Sequence, residues 1–181
     1  MAAHHSRELI SVQMAFYQLL KLIHDGVVWK EEGALNLLQQ NKYYFVPIVN
    51  ADGVAYVERG FGNNMKIAKK RKNMNPQAIV GLQGIRCDLD DTGVDLNRNY
   101  ATSWGLSEQL TIGLNEERFD ECQDPCSECY RGQKPFSEPE TQALRDFLIA
   151  HKREIKFVYN LHSFGNEWMY PYNGVEVNDI E

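Results

Sequence analysis

The chain has 181 residues, 43% of them hydrophobic and 24% charged, with a net charge of −6. This composition suits one globular domain with a core of its own, and the negative balance argues against a nucleic-acid partner. No apolar run approaches the ~18–20 residues that a membrane span needs, and the N-terminus reaches His4-His5 with no signal-peptide pattern.

Apolar residues recur at helical spacing from Glu8 to Ile23 through Leu9, Val12, Phe16, Leu19 and Leu20, and Asp25-Gly26 closes that helix. Glu31 to Gln40 reads as a second, shorter helix. The unbroken run Tyr43-Tyr-Phe-Val-Pro-Ile-Val49 predicts a strand buried on both faces. Pro47 has no N–H, so the ladder should break there or lie at an edge. Asn50-Ala-Asp-Gly53 reads as a turn. Residues 60–93 and 100–136 show little periodicity and read mostly as loop. Ser137-Glu-Pro-Glu140 has capping-box spacing, with Ser137 as N-cap of a helix running to about Arg153 through Leu144, Phe147 and Leu148. Ile155 to Leu161 is a strand that delivers His162 at its carboxyl end, where ligands of open α/β sheets bind. Helices and apolar strands alternate, so the fold class is α/β with a mixed or mostly parallel sheet.

Three segments carry chemistry. His5-Ser-Arg-Glu8 near one end and His162 near the other supply two imidazoles and a carboxylate. That donor set suits Zn²⁺, with bonds of about 2.0–2.2 Å and a fourth position left for water. Gly93-Val-Asp-Leu-Asn-Arg-Asn-Tyr100 packs polar residues into a short frame. There Asn97 and the planar fork of Arg98 could grip a terminal carboxylate. The third is cysteine-rich: Cys122, Cys126 and Cys129 fall among turn residues and Cys87 lies apart. Disulfides in an oxidising compartment, a second zinc site and free thiols are the three readings of these cysteines, disulfides first.

In this order and at this spacing, the segments resemble the zinc carboxypeptidase family of the carboxypeptidase A/B type. His5-Ser-Arg-Glu8-Leu-Ile-Ser11 is similar to its first zinc motif, and Gly93 to Tyr100 to its substrate-carboxylate motif. Pro125-Cys-Ser-Glu, Ser137-Glu-Pro-Glu-Thr141 and His162-Ser163 through Tyr170-Pro-Tyr172 also match in order, so the resemblance covers essentially the whole chain. It implies a three-layer α/β/α domain incomplete at both ends, with residues 1–181 a partial catalytic domain. It implies His5, Glu8 and His162 as ligands of one zinc, and Asp95 as the carboxylate that orients His5. It implies Asn97 and Arg98 as the clamp on the substrate carboxylate, and Arg7 and Ser163 as contacts further along the peptide. A Cys87–Cys126 disulfide follows from the same resemblance, leaving Cys122 and Cys129 to pair locally, as does a cis peptide at Ser163–Phe164. His4, His24 and His151 match no role and are expected at the surface.

The family places an oxyanion-stabilising Arg where this chain has Met74, so Arg71 or Lys72 must substitute or that contribution is missing. The general base is expected beyond Glu181 and is assigned to no residue. The implied activity is removal of one C-terminal residue from peptides or proteins. The rivals are an N-acyl amino acid deacylase of the same fold and a non-catalytic zinc- or peptide-binding remnant. Cysteine usage and resemblance together imply secretion or a lysosomal or vacuolar lumen. No nucleic acid is expected as partner.

Overall fold

The computed structural model describes residues 1–62, 69–76, 87–102, 104–105 and 121–170. Its helices, in chain order, are α1 (Leu9–Ile23), α2 (Glu32–Gln40), α3 (Ala51–Gly62) and α4 (Pro139–His151). A π-helical turn, His24–Val28, joins α1 to α2, and a 3₁₀ turn spans Leu96–Arg98. Three extended segments lie side by side. Ala2 N–H donates to Val46 O, and Val49 N–H donates back to Ala2 O. On the other side the Met1 amino group donates to Tyr159 O, and Leu161 N–H to Met1 O. The 1–3 segment is therefore central, and its pairing with Leu161 is parallel, as a single isolated bridge among the described residues. Pairing along 43–49 skips from Val46 O to Val49 N, straddling Pro47, which has no N–H to give.

The parallel order brings the carboxyl ends of two neighbouring segments together. Residue 4 onward leaves the central one and His162 leaves its neighbour. The core behind them is small. Val49, Leu96 and Leu144 form one buried cluster with Met1, Val46 and Tyr100 packed against it, and Val94 meets Tyr130 in another. Full burial of a Leu contributes about 2 kcal/mol, so Leu96 and Leu144 anchor the motif loop to α4.

Four sequence expectations are corrected. Asn50-Ala-Asp-Gly53 starts a helix: the Asn50 side chain accepts the Gly53 N–H at 3.1 Å, an N-cap geometry, and α3 follows with Val54 and Val57 buried. The Ser137 capping box does not form. The N-cap of α4 is Glu138, Ser137 donates to the Glu138 carboxylate, and Glu140 accepts instead from Asn73. Tyr43–Val49 and Ile155–Leu161 are extended but not buried on both faces, with Phe157 72% exposed. The apolar stripe of α1 likewise leaves Phe16, Leu20 and Ile23 open to solvent, and an apolar cleft of about 570 Å³ runs past Leu19, Leu37, Tyr44, Phe147 and Tyr159. The fourth correction is His4, which is not at the surface but 1% exposed. Much of 60–93 and 100–136, and Pro171 and Tyr172 of the last motif, lie outside the described residues.

Both disulfides implied by the resemblance are present. Cys87–Cys126 has Cα atoms 5.2 Å apart and Cys122–Cys129 4.8 Å, leaving no free cysteine. Two buried lysines tie the same loops down. Lys70 Nζ donates to Leu89 O and Thr92 Oγ1, and Lys72 Nζ to Pro125 O and Ser127 O. Gly93 closes the motif loop at φ +93, where an added Cβ would meet Asn73 O at 2.1 Å.

Candidate metal and peptide-binding site

The first site segment is a tight turn between the central extended strip and α1. Glu8 N–H donates to His5 O, and Ser11 Oγ donates to Glu8 O while accepting the Ala3 N–H. Ser6 Oγ is satisfied by Lys70 O or Lys72 O, which fastens the turn to the 69–73 segment. These bonds satisfy the backbone of the turn and fix His5 and Glu8 on one side of it.

There His5 Nδ1 lies 2.7 Å from Glu8 Oε1, and His162 Nδ1 lies 3.0 Å from Glu8 Oε2 and 3.2 Å from His5 Nδ1. The three residues form a single group of potential metal ligands among the described residues, with atoms within 4.8 Å of one another although His162 is distant in sequence. Behind His5, Nε2 meets Asp95 Oδ1 at 3.1 Å. Asp95 is fully buried and accepts also from Asn97 N–H at 2.9 Å, and from Arg71 Nε and Nη2 at 3.0 and 2.9 Å. The Ser163 N–H donates to Glu8 Oε2 at 3.1 Å, just before a cis Ser163–Phe164 peptide bond, the isomer implied by the resemblance.

The electrostatics test whether a cation fits here. Burial pushes the Glu8 carboxyl up, but hydrogen bonds from His162 and His5 outweigh it and draw the value down to about 2. Burial likewise works against ionised Asp95, yet the His5 hydrogen bond and the nearby His5 and Arg71 charges hold it well below the usual carboxylate range. Both carboxylates are thus ionised acceptors, and each faces one nitrogen of His5. Burial opposes a charged His5 as well, but these two partners raise its pKa overall. A neutral His5 with its proton on Nε2 donates that N–H to Asp95, which leaves the Nδ1 lone pair facing Glu8 Oε1 and His162 Nδ1. Lone pairs converging from two imidazoles and a carboxylate are the donor chemistry of zinc. Tetrahedral bonds of ~2.0–2.1 Å set ligand atoms ~3.3–3.4 Å apart, and the two imidazole Nδ1 atoms lie 3.2 Å apart. The residues present therefore fit the metal.

The remaining predicted residues fall around this centre. Asp95 caps the Leu96–Arg98 turn, so Asn97 and Arg98 follow directly on the carboxylate that holds His5. Arg98 is half-buried and donates from Nη1 to Asn97 O at 3.2 Å. Arg7 is committed elsewhere: its fork grips Glu128 at 2.6 and 2.9 Å, and Nη1 also donates to Lys69 O. Met74 is half-buried; of the two candidate replacements for an oxyanion donor, Lys72 is occupied by the Pro125 and Ser127 carbonyls, and Arg71 binds Asp95 through Nε and Nη2 while its Nη1 lies 4.0 Å from Glu8 Oε1.

Sequence reasoning missed several partners. His4 Nε2 hydrogen-bonds Tyr100 Oη at 2.7 Å, and its ring stacks on that of His162 at 5.7 Å between centroids. Burial depresses the His4 pKa to about 3, so it is neutral. Asn99 gathers the neighbouring loops, donating to Arg131 O, Lys134 O and Ser137 Oγ while accepting from Thr141 Oγ1. The one signal for Asn99 was its place in the tightly spaced Asn97-Arg98-Asn99 run; Arg71 and Glu128 stood out in sequence without these partners, and nothing local marked His4 as buried.

Comparison with known proteins gives the same direction. Human mast cell carboxypeptidase A is 30% identical over 171 residues, covering 93% of this chain and 33% of the relative. Bovine carboxypeptidase B is 32% identical over 184 residues, covering 97% and 37%. The chain thus spans about a third of the length of these relatives. A crystal structure of thrombin activatable fibrinolysis inhibitor superposes with a TM-score of 0.72 at 29% identity, covering 98% of this chain and 37% of that one. The family model described as zinc carboxypeptidase matches residues 1–179, and the chain belongs to that family.

Proposed function

We propose that the protein is a zinc-dependent metallocarboxypeptidase that hydrolyses the C-terminal peptide bond of peptides or proteins, and that residues 1–181 are part of its catalytic domain. The observation that carries this is the meeting of His5, Glu8 and His162 at one point. These three would hold the zinc, which when bound polarises a carbonyl and lowers the pKa of its water toward ~7. Asp95 accepts the hydrogen bond of His5 Nε2–H, fixing the tautomer whose Nδ1 lone pair faces the metal position. Asn97 and Arg98 offer amide and guanidinium donors to a chain-terminal carboxylate, which restricts the site to the last peptide bond. Ser163 lies beside the site and presents its backbone N–H to Glu8. No general base is assigned among the described residues.

The finer fold reading is a three-layer α/β/α domain around a mixed, mostly parallel sheet, supported by the parallel Ala2–Leu161 bridge and the likeness to carboxypeptidase structures. Two disulfides support an oxidising destination, either secretion or a lysosomal or vacuolar lumen. The partners are peptide C-termini and not nucleic acid.

One observation favours a second reading, a zinc- and peptide-binding protein without turnover. Met74 cannot donate, Lys72 is held by the Pro125 and Ser127 carbonyls, and Arg71 spends Nε and Nη2 on Asp95, so only Arg71 Nη1, 4.0 Å from Glu8 Oε1, is left to meet a developing oxyanion. One experiment separates the two. The chain is loaded with zinc and offered a peptide with a free C-terminus and the same peptide amidated. Chelator-sensitive cleavage of only the free peptide supports the peptidase; tight binding of it without cleavage supports the second reading. Failure to bind one equivalent of zinc refutes both.

A further inference from the structure

Arg7 immediately precedes Glu8, yet it does not present an open guanidinium. Its Nη1 donates to Glu128 Oε1 and Lys69 O, and its Nη2 to Glu128 Oε2. Of the five N–H groups an Arg carries, three are used: Glu128 fills the Nη1/Nη2 edge, leaving the Nε–H and one Nη2–H on the other side. We propose that Glu128 is a specificity-determining residue: it occupies the Arg7 fork, so the site rejects peptides with an acidic side chain upstream of the C-terminal residue and favours neutral or basic ones. This rests on the peptide-binding reading above.

The geometry makes Glu128 a fixture rather than a passing surface partner. Cys126 is bridged to Cys87 on one side of it, and Cys129 to Cys122 on the other. The Ser127 carbonyl between them is held by the buried Lys72 ammonium. A carboxylate on a loop pinned at both ends loses little further entropy by staying on Arg7. Its side chain is nevertheless 54% exposed, and that of Arg7 34%, so an incoming peptide meets both. An acidic side chain arriving there finds the Nη1/Nη2 edge filled and faces the Glu128 charge. A basic one finds the outer surface of a carboxylate.

The test is fluorescence anisotropy on the zinc-loaded chain, with three labelled peptides identical except for Asp, Ala or Lys next to the C-terminal residue. Wild type is expected to bind the Asp peptide most weakly, and 0.5 M salt to narrow the differences. Glu128→Gln should tighten the Asp peptide about fivefold, the ceiling for an exposed charge pair, and weaken the Lys peptide, leaving Ala within about twofold. Glu128→Asp keeps the charge and should restore the wild-type ranking even if the loop shifts. Arg7→Gln added to Glu128→Gln should remove the gain for Asp. A Glu128→Gln effect equal for all three peptides, or none, overturns the inference and leaves the peptide-binding reading intact. A zinc-loaded wild type that does not distinguish free from amidated C-termini overturns both.

Discussion

Replacing Asp95 with Asn is nearly isosteric and removes one charge from the most heavily bonded carboxylate of the site. Asp95 accepts from His5 Nε2, from the Asn97 N–H, and from Arg71 Nε and Nη2, with no exposed surface. An Asn amide has one accepting oxygen and an NH₂ that can only donate. If its oxygen stays toward Arg71, its NH₂ points at His5 Nε2. His5 must then carry its proton on Nδ1, the atom facing Glu8 and His162. If the amide is flipped, the NH₂ meets the Arg71 guanidinium, and a charge whose side chain is only 18% exposed keeps only the more distant Glu8, at 4.0 Å. Breaking a buried pair in this way costs ~3–5 kcal/mol; partial exposure of Arg71 puts the expected loss near the lower end, about 3 kcal/mol. Zinc affinity should fall ~10–100-fold, the range for loss of a carboxylate behind a metal-binding imidazole. Urea denaturation of the metal-free chain reads the first quantity, and competition with a chelator of known affinity reads the second. An Asp95→Asn protein that binds zinc within twofold of wild type, while His5→Ala binds none, would refute the tautomer argument.

Gly93→Ala places a Cβ 2.1 Å from Asn73 O at a positive φ, and should cost ~1–3 kcal/mol from backbone strain alone, read as a lowered Tm; an unchanged Tm would contradict the loop geometry. Cys87 and Cys126 are 39 residues apart, a loop whose closure is worth about 4 kcal/mol by chain entropy. The double Ser variant should show a loss of that order in denaturant. Burial lowers the Lys70 and Lys72 pKa values to about 8. The unfolded chain, with lysines near their ordinary value of 10.5, then holds more protons above pH 8, so stability should rise with pH from about 8 toward 10. Below pH 8 these two lysines make stability independent of pH. Lys72→Met should flatten the rise; an equally steep slope in the variant would show that other groups cause it.

The site was legible from sequence because its chemistry sits in short runs. Two residues separate His5 from Glu8, and Asp95, Asn97 and Arg98 share one turn, so the residue types and their local geometry are encoded together. His162 was placed by its position after an apolar run, and the parallel bridge at Leu161 brings it to the other two. The partners of these residues were not legible, because nothing near Arg71 in sequence marks Asp95 as its acceptor, 24 positions on, or marks Glu128 as the acceptor for Arg7, 121 positions on. Local signals failed where a distant group competes for the same atom. Asn73 takes Glu140 out of the Ser137 capping box, and Asn50, read as a turn residue, caps α3 because Val54 and Val57 behind it have a core to enter.

Apolar runs failed differently, and that failure bears on how the site is held. Phe157 and Tyr159 sit in the run that delivers His162, yet their side chains are open to solvent, and Phe164, Trp168 and Tyr170 beyond the ligand are more exposed still. Periodicity records which residues suit burial; it does not say what covers them. The two halves of the site therefore rest on unequal foundations. His5 and Glu8 stand on a turn whose backbone is satisfied by Ser11 and tied by Ser6 to the 69–73 segment, with buried Asp95 behind. His162 is held by the backbone pairing of its neighbour Leu161 to Met1, by the Ser163 N–H on Glu8, by Asn160 at 3.1 Å and by the His4 ring. Local opening follows low burial, so the His162 side should open first. A metal bridging the two sides adds its binding free energy to the weaker one. Amide exchange along 157–163 should accordingly slow on zinc loading far more than exchange in α1, and equal slowing in both would show that the two sides open as one unit.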